Sequence, residues 1–133
     1  MLELASKGKY DGIAFHRVIE GFMAQTGDVQ FGKVGGDFSM AGRGGSDMPD
    51  LPAEFSNIPF DRGIIGMARA QNPNSANSQF FIMFKEGYFL NGQYTVVGKV
   101  VAGMDVIDDI KLGLGSNGSV LGSPDFMDHV RQK

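Results

Sequence analysis

Apolar residues recur along this chain in short runs that glycine and proline separate, a pattern typical of a mainly β protein. Residues 13–19 alternate, so that Arg17 shares one strand face with Phe15 and Ile19. Residues 78–84 carry apolar side chains on both faces, and we expect this strand to be covered on both sides. Further strands are predicted over residues 22–26, 64–68, 95–101 and 126–131.

Two helices and one long loop complete the predicted architecture. Residues 1–9 have the pattern of a helix end, and residues 104–112 have the spacing of an amphipathic helix. Glycines crowd residues 27–50, which predicts a loop. Many short strands with two peripheral helices predict a single β-barrel or sandwich domain over residues 1–133.

Composition narrows the function classes. The chain has 133 residues, a net charge of −3 at pH 7 and no cysteine. The acidic balance argues against a nucleic-acid partner, and no apolar run approaches the ~20 residues that span a bilayer, so no membrane partner is expected. The absence of cysteine excludes disulfides and thiol chemistry, and it is compatible with the cytoplasm, where we expect the protein.

The sequence gives little support for a metal-binding or a phosphate-binding site. His16 and His129 lie at opposite ends of the sequence, whereas a metal site needs more ligands at closer spacing. The glycine-rich residues 42–46 lack the Gly-Lys-Ser/Thr ending of a phosphate loop, and a plain loop is the better interpretation. We expect no cofactor and no metal.

Three segments place polar side chains beside apolar ones on predicted strands. Arg17 lies among apolar neighbours, Gln25 is paired with Met23, and Gln79 shares a face with Phe81. Taken alone, Arg17 fits a surface salt bridge or a snorkelling side chain better than a site.

These segments together resemble the cyclophilin family of peptidyl-prolyl cis–trans isomerases. Residues 15–28 match the family signature Phe-His-Arg-hydrophobic-Ile-x-Gly-Phe-Met-x-Gln-x-Gly-Asp. The second family block is matched at residues 63–68 and 78–82, and shorter motifs follow in order at residues 89–92 and 96–100. The resemblance runs from Met1 to about Lys111 and is bacterial in style.

The resemblance implies a fold and a site. The fold is a closed antiparallel β-barrel with two peripheral helices and an active site on its outer surface. Arg17 corresponds to the catalytic arginine of the family. The substrate-binding positions correspond to Phe22, Met23, Gln25, Ala68, Arg69, Ala70, Gln79, Phe81, Phe89, Leu90 and Tyr94.

Three positions depart from common family members. Many eukaryotic members have tryptophan at Phe89 and histidine at Tyr94, and members often have asparagine at Arg69. Because the tryptophan helps to bind cyclosporin, the resemblance implies weak binding of this drug. Isomerase activity is expected to survive these changes.

The implied activity is acceleration of X–Pro bond rotation in peptides and in unfolded or folding proteins. A non-catalytic proline-peptide-binding or chaperone module of the same fold is the main alternative, against which the retained Arg17 counts. A small-molecule carrier barrel is a weaker alternative, because the strands at residues 78–84 and 95–101 are bulky enough to fill a barrel.

The resemblance also bears on the start of the chain. Cyclophilins begin with two barrel strands and the first turns of a helix, and no residue before Met1 supplies them here. We therefore expect an N-terminally truncated domain, with either an open barrel that exposes apolar side chains or a compensating partner chain.

Overall fold

Short strands outnumber helices in residues 1–132, which are the residues that the computed structural model describes. The α-helices are α1 (Leu2–Ser6) and α2 (Met104–Asp108). The strands are β1 (Ile13–Ala14), β2 (Arg17–Ile19), β3 (Met23–Thr26), β4 (Ile64–Met67), β5 (Phe80–Met83), β6 (Val96–Lys99) and β7 (Phe126–Met127). Two 3-10 helices, Phe38–Met40 and Tyr88–Leu90, lie in the connections.

The predicted strand over residues 13–19 is interrupted, because the chain changes partner there. Ile13 pairs with Met127 of β7, whereas Arg17 pairs with Gln25 of β3. Between them, the N–H of Phe15 donates to the carbonyl of Asp125. The two halves of one alternating run therefore belong to different sheets.

Five antiparallel strands form the main sheet in the order β2-β3-β5-β4-β6. Their register places Arg17 opposite Gln25, Gln25 opposite Phe81, and Phe81 opposite Gly66. Directly opposed residues in antiparallel strands project to the same face. The register thus sets Arg17, Gln25 and Phe81 in one row across the sheet.

The core supports this row from both sides of β5. All four β5 residues are buried, which confirms the prediction that this strand is covered on both faces. On one side, Leu4 and Ala5 of α1 pack in a cluster with Tyr10 and Phe80. The hydroxyl of Tyr10 donates to the carbonyl of Ser78, and burial raises the pKa of Tyr10 above its usual range.

The predicted helix over residues 104–112 ends early, at Asp108. The N–H of Lys111 donates to the side chain of Asp125 at 2.8 Å instead of continuing the helical pattern. This contact turns the chain so that Ile110 is buried in the core. No helix of residues 1–132 is both long and apolar enough to cross a membrane.

The mainly β architecture is confirmed, but the strands of residues 1–132 form two sheets and no closed barrel is detected. Strand β6 is an edge of the main sheet, and apolar side chains lie exposed on and after it, at Val97, Val101 and Val106. The other edge, β2, is bonded through Val18 to the backbone of Gly113 and Gly118. The expectation that barrel strands are missing before Met1 stays a prediction.

Candidate active site

A relay of side-chain hydrogen bonds runs across the row of β2, β3 and β5. Arg17 Nη1 donates to Gln25 Oε1 at 2.9 Å, and Gln25 Nε2 donates to Gln79 Oε1 at 2.9 Å. Gln79 Nε2 then donates to the carbonyl of Gly44, also at 2.9 Å. At the other end, Arg17 Nε donates to the carbonyl of Asn117 at 2.8 Å. The guanidinium is thus held from two sides, and both glutamine side chains have one defined orientation.

An apolar wall stands beside this relay. Met23 and Phe81 are buried in a cluster with Leu90, and Phe22 packs against the cluster. Phe81 stacks on Phe60 with ring centroids 5.8 Å apart. Because every residue of the wall is supported by the core beneath it, the wall is a fixed surface.

Two cavities that share a wall contain all twelve site residues predicted from the sequence. The first, of about 260 Å³, is lined by Arg17, Phe22, Met23, Gln25, Ala68, Arg69, Phe81, Phe89, Leu90 and Tyr94. The second, of about 220 Å³, adds Ala70 and Gln79 to Gln25, Ala68 and Arg69. Residues from five separate segments of the sequence are therefore brought to one place.

Arg69 divides the two cavities and is rigidly held. Its guanidinium lies 4.5 Å from the ring centroid of Tyr94, and its Nη2 donates to the carbonyl of Gln93 at 2.7 Å. Its Nη1 donates to the carbonyls of Ala70 and Gln71. The Tyr94 ring in turn meets Phe81 edge-on at 5.8 Å. At this position the side chain therefore braces the rim of the apolar cavity.

The glycine-rich residues 42–46 form a loop, as predicted, and residues 42–44 of this loop also line the second cavity. Asp28, fully buried, holds it in place. Its Oδ2 accepts the N–H groups of Gly42 and Gly44 at 2.8 and 3.0 Å, while its Oδ1 accepts two N–H groups of its own loop. Sequence reasoning missed Arg43 here, and the available signal was a lone arginine among glycines.

His16 is partly buried and lines a cavity together with Arg17 and Gln25. Both ring nitrogens are buried and make no hydrogen bond with the described residues. Burial lowers the pKa of His16, the charge of Arg17 lowers it further, and the charge of Asp28 acts in the opposite direction. The ring is therefore neutral at pH 7. Within residues 1–132, no group of three or more His, Asp or Glu side chains is arranged to hold a metal ion.

The sequence of this chain matches one known family. The family model described as cyclophilin type peptidyl-prolyl cis-trans isomerase/CLD matches residues 1–130. This chain belongs to that family. The resemblance drawn from the motifs of residues 15–28 and 78–82 is thereby confirmed.

Relatives and solved structures agree with this placement. A probable peptidyl-prolyl cis-trans isomerase of Brucella abortus is 64% identical over 125 residues, covering 92% of this chain and 64% of the relative. A peptidyl-prolyl cis-trans isomerase of Acinetobacter baylyi is 41% identical, over 76% of this chain and 52% of the relative. The chain therefore spans just under two thirds of the length of the Brucella protein.

Among solved structures, a Cryptosporidium parvum cyclophilin type peptidyl-prolyl cis-trans isomerase matches 99% of this chain and 82% of its own, at 28% identity and a TM-score of 0.77. That crystal was obtained in the presence of the dipeptide Ala-Pro. The cyclophilin AquaCyp293 of Hirschia baltica matches 96% of this chain and 61% of its own, at 23% identity and a TM-score of 0.75. These likenesses establish the cyclophilin fold for this chain.

Proposed function

We propose that this protein is a peptidyl-prolyl cis–trans isomerase that binds a proline ring in the apolar cavity and rotates the preceding peptide bond. The observation that carries the proposal is the position of Arg17. Its guanidinium is held by hydrogen bonds to Gln25 and Asn117. It lines the same cavity as the apolar side chains of Phe22, Met23 and Phe81. The family membership and the Brucella and Acinetobacter relatives support the same activity.

The reaction needs little chemistry, because no bond is broken. Amide resonance imposes a rotation barrier of ~18–20 kcal/mol, and uncatalysed X–Pro exchange takes tens to hundreds of seconds. Exchange in milliseconds requires about five powers of ten, or roughly 7 kcal/mol off the barrier. Selective binding of the twisted state can supply such a difference.

Arg17 supplies the selective contact in this proposal. Rotation removes the nitrogen lone pair from conjugation and makes the proline nitrogen pyramidal, so that the lone pair can accept a hydrogen bond. Arg17 has five N–H donors, of which Nε and one on Nη1 are engaged, and the others remain for substrate. A donor fixed before the reaction needs no reorganisation when the lone pair appears.

The remaining residues hold the peptide while the bond turns. Phe22, Met23, Phe81 and Leu90 enclose the ring by apolar contact. The backbone of residues 68–70 lies at the rim between the two cavities, where it can hold the flanking peptide. The dipeptide Ala-Pro in the Cryptosporidium crystal is consistent with a proline-containing ligand for this fold.

An exchange assay on an Xaa-Pro peptide, by NMR or by coupling to chymotrypsin, tests the proposal. We expect micromolar protein to accelerate cis–trans exchange without added metal or nucleotide. An unchanged rate, with folding verified by circular dichroism, would reject the isomerase function.

Several finer expectations stay predictions of this proposal. They are the closed barrel of the family fold, action on unfolded or folding proteins, weak binding of cyclosporin because Phe89 replaces tryptophan, and a cytoplasmic location.

A further inference from the structure

Three cavities meet at Gln25, and each pair of them shares one arginine. The proline cavity proposed above is lined by Arg17 and Arg69, and the second cavity by Arg69 and Arg43. A third cavity, of about 290 Å³, is lined by Arg43 and Arg17. We call Arg17, Arg43 and Arg69 the three-arginine rim. The rim surrounds the place where the peptide on either side of a bound proline would run.

No aspartate or glutamate lines any of these three cavities, although the whole chain has a net charge of −3. Asp28 lies beneath the loop that carries Arg43, but it is fully buried and its oxygens accept four backbone N–H groups. His16, in the third cavity, is neutral at pH 7 because burial lowers its pKa. The surface that faces a bound peptide is therefore positive on an acidic protein.

The pairing of the arginines sharpens this contrast. The sequence has five arginines. The two outside the site each form a two-pronged ion pair with an aspartate, Arg62 with Asp108 and Arg131 with Asp11.

The three-arginine rim has no such partner among residues 1–132. Arg17 and Arg69 bond only to carbonyl and amide oxygens. Arg43 is exposed and makes no hydrogen bond or ion pair with any described residue. Three positive charges are thus left for a ligand to neutralise.

We propose that the site selects proline peptides that carry an aspartate or glutamate side chain within two residues of the proline. This inference rests on the proposed function, because it takes the proline to occupy the cavity of Arg17. An extended peptide advances about 3.3 Å per residue, so a side chain one or two residues away reaches the adjoining cavities. A carboxylate there meets Arg43 and one of its two neighbours in the rim.

Matched peptides test the preference. Peptides of one length would carry Glu, Gln or Lys at each of the two positions on either side of the proline. We expect kcat/KM to fall in the order Glu, Gln, Lys at the responsive position, with Glu about three- to tenfold above Gln at low ionic strength. The preference should shrink in about 0.5 M salt, where charges are screened over a few ångströms. Equal values for Glu and Gln at all four positions would overturn the inference.

A variant pair assigns the effect to the rim. Arg43→Gln should move the Glu-to-Gln ratio of kcat/KM toward one, by about two- to fivefold, the size of one partly exposed ion pair. Lys99→Gln removes a charge from an exposed residue outside the three cavities and should leave the ratio unchanged. An unchanged ratio in Arg43→Gln, or an equal fall in both variants, would refute the role of Arg43.

Peptide binding separates this inference from the isomerase proposal. Calorimetric titration gives Kd for the Glu and Gln peptides whether or not the protein turns them over. Turnover without preference rejects the inference alone. Tighter binding of the Glu peptide without turnover rejects the isomerase function and retains the acidic-peptide site.

Discussion

Arg17 Nε donates a 2.8 Å hydrogen bond to the carbonyl oxygen of Asn117, a residue one hundred positions further along the chain. The bond ties the proposed catalytic side chain to the loop of residues 113–120. That loop is itself fixed on β2, since Val18 exchanges backbone hydrogen bonds with Gly113 and Gly118, each at 2.8 Å. The guanidinium is therefore positioned by the packing of this loop as well as by Gln25.

Gly118 allows the loop its close approach to β2. Its φ is +75°, and a Cβ atom there would lie 2.5 Å from Cγ1 of Ile19 and 3.0 Å from the carbonyl oxygen of Val18. We expect Gly118→Ala to shift the loop and lower kcat by about ten- to a hundredfold, the cost of misplacing a catalytic group by roughly 1 Å. KM for a proline peptide should change less, because the apolar wall is untouched.

Gly115→Ala is the matched control for this prediction. Gly115 also has a positive φ, +69°, but its Cβ would meet nothing within 4 Å. Both variants carry the backbone cost of alanine at positive φ, about 1 kcal/mol, and only Gly118→Ala adds the steric clash. Equal kcat in the two folded variants would argue against a positioning role for the loop.

The geometry of the Arg17 guanidinium, as well as its charge, should matter for turnover. Nε and Nη1 of the planar guanidinium donate to two different acceptors, the Asn117 carbonyl and Gln25 Oε1. The single ammonium of Arg17→Lys cannot reproduce this geometry. We expect Arg17→Ala to lower kcat/KM by about a hundred- to a thousandfold. The kcat/KM of Arg17→Lys should lie within about tenfold of the value for Arg17→Ala, because lysine cannot form both hydrogen bonds.

Peptide affinity should fall much less than turnover in both Arg17 variants, which titration would measure. Arg62→Lys, at an exposed arginine that pairs with Asp108, should keep wild-type kcat/KM. Near-normal turnover by Arg17→Lys would mean that charge alone suffices, and near-normal turnover by Arg17→Ala would remove Arg17 from the mechanism.

The sequence predicted which side chains lie together at the two cavities better than it predicted the connections between strands. Residue alternation placed Arg17 on a strand face, and the family motifs indicated the residues that line the cavities. Both signals lie in short stretches of consecutive residues and can be recognised in the sequence. The interruption of the predicted strand at residues 15–16 could not be read, since it arises where the chain leaves β7 for β3. Asn117 and Arg43 were missed for the same reason. Their role depends on which loops meet across a hundred residues, and neither residue type indicates that by itself.

Gly66 has no side chain, and this leaves room for the Phe81 ring in the cavity wall. A Cβ atom there would lie 2.6 Å from Cζ of Phe81 and 2.8 Å from Cε1 of Phe60. Because both rings are buried and stacked on each other, neither has free space to move into. Gly66→Ala should lower the free energy of unfolding by about 1–3 kcal/mol and raise KM as Phe81 intrudes on the cavity.

Gly98→Ala serves as its control, in the neighbouring strand β6. A Cβ at Gly98 would meet nothing within 4 Å, and its φ is not in the left-handed region. Urea unfolding and KM should both stay near the wild-type values. If Gly66→Ala matches Gly98→Ala in stability and KM, the close packing against Phe81 does not constrain the site.

The titration of His16 makes the free energy of unfolding depend on pH in a range above that in which the aspartates titrate. Burial lowers the pKa of His16 in the folded protein, while an unfolded histidine titrates near 6.5. The pKa values of Asp11, Asp37 and Asp108 are lowered from the ordinary acidic range, so the stability linked to these carboxylates changes below about pH 4. Between about pH 6.5 and 5, we therefore expect His16 to cause the pH dependence of the free energy of unfolding.

The sign follows from proton binding. Below pH 6.5 the unfolded chain takes up a proton at this position while folded His16 stays neutral, so the free energy of unfolding falls as pH falls. The slope is at most about 1.4 kcal/mol per pH unit for one proton, and it ends once the pH passes the lowered pKa of the folded state. Above pH 6.5 the His16 side chain is neutral in both the folded and the unfolded state, and it no longer makes the free energy of unfolding depend on pH.

Urea unfolding of wild type and His16→Phe at pH 7.5 and at pH 5 measures this dependence. Phenylalanine keeps a ring of similar size and replaces two nitrogens that have no hydrogen-bond partner among the described residues. His16→Phe should therefore flatten the loss of stability between the two pH values. A wild-type slope in His16→Phe would mean that His16 binds its proton equally well in the folded and unfolded chains, and burial would then not lower its pKa.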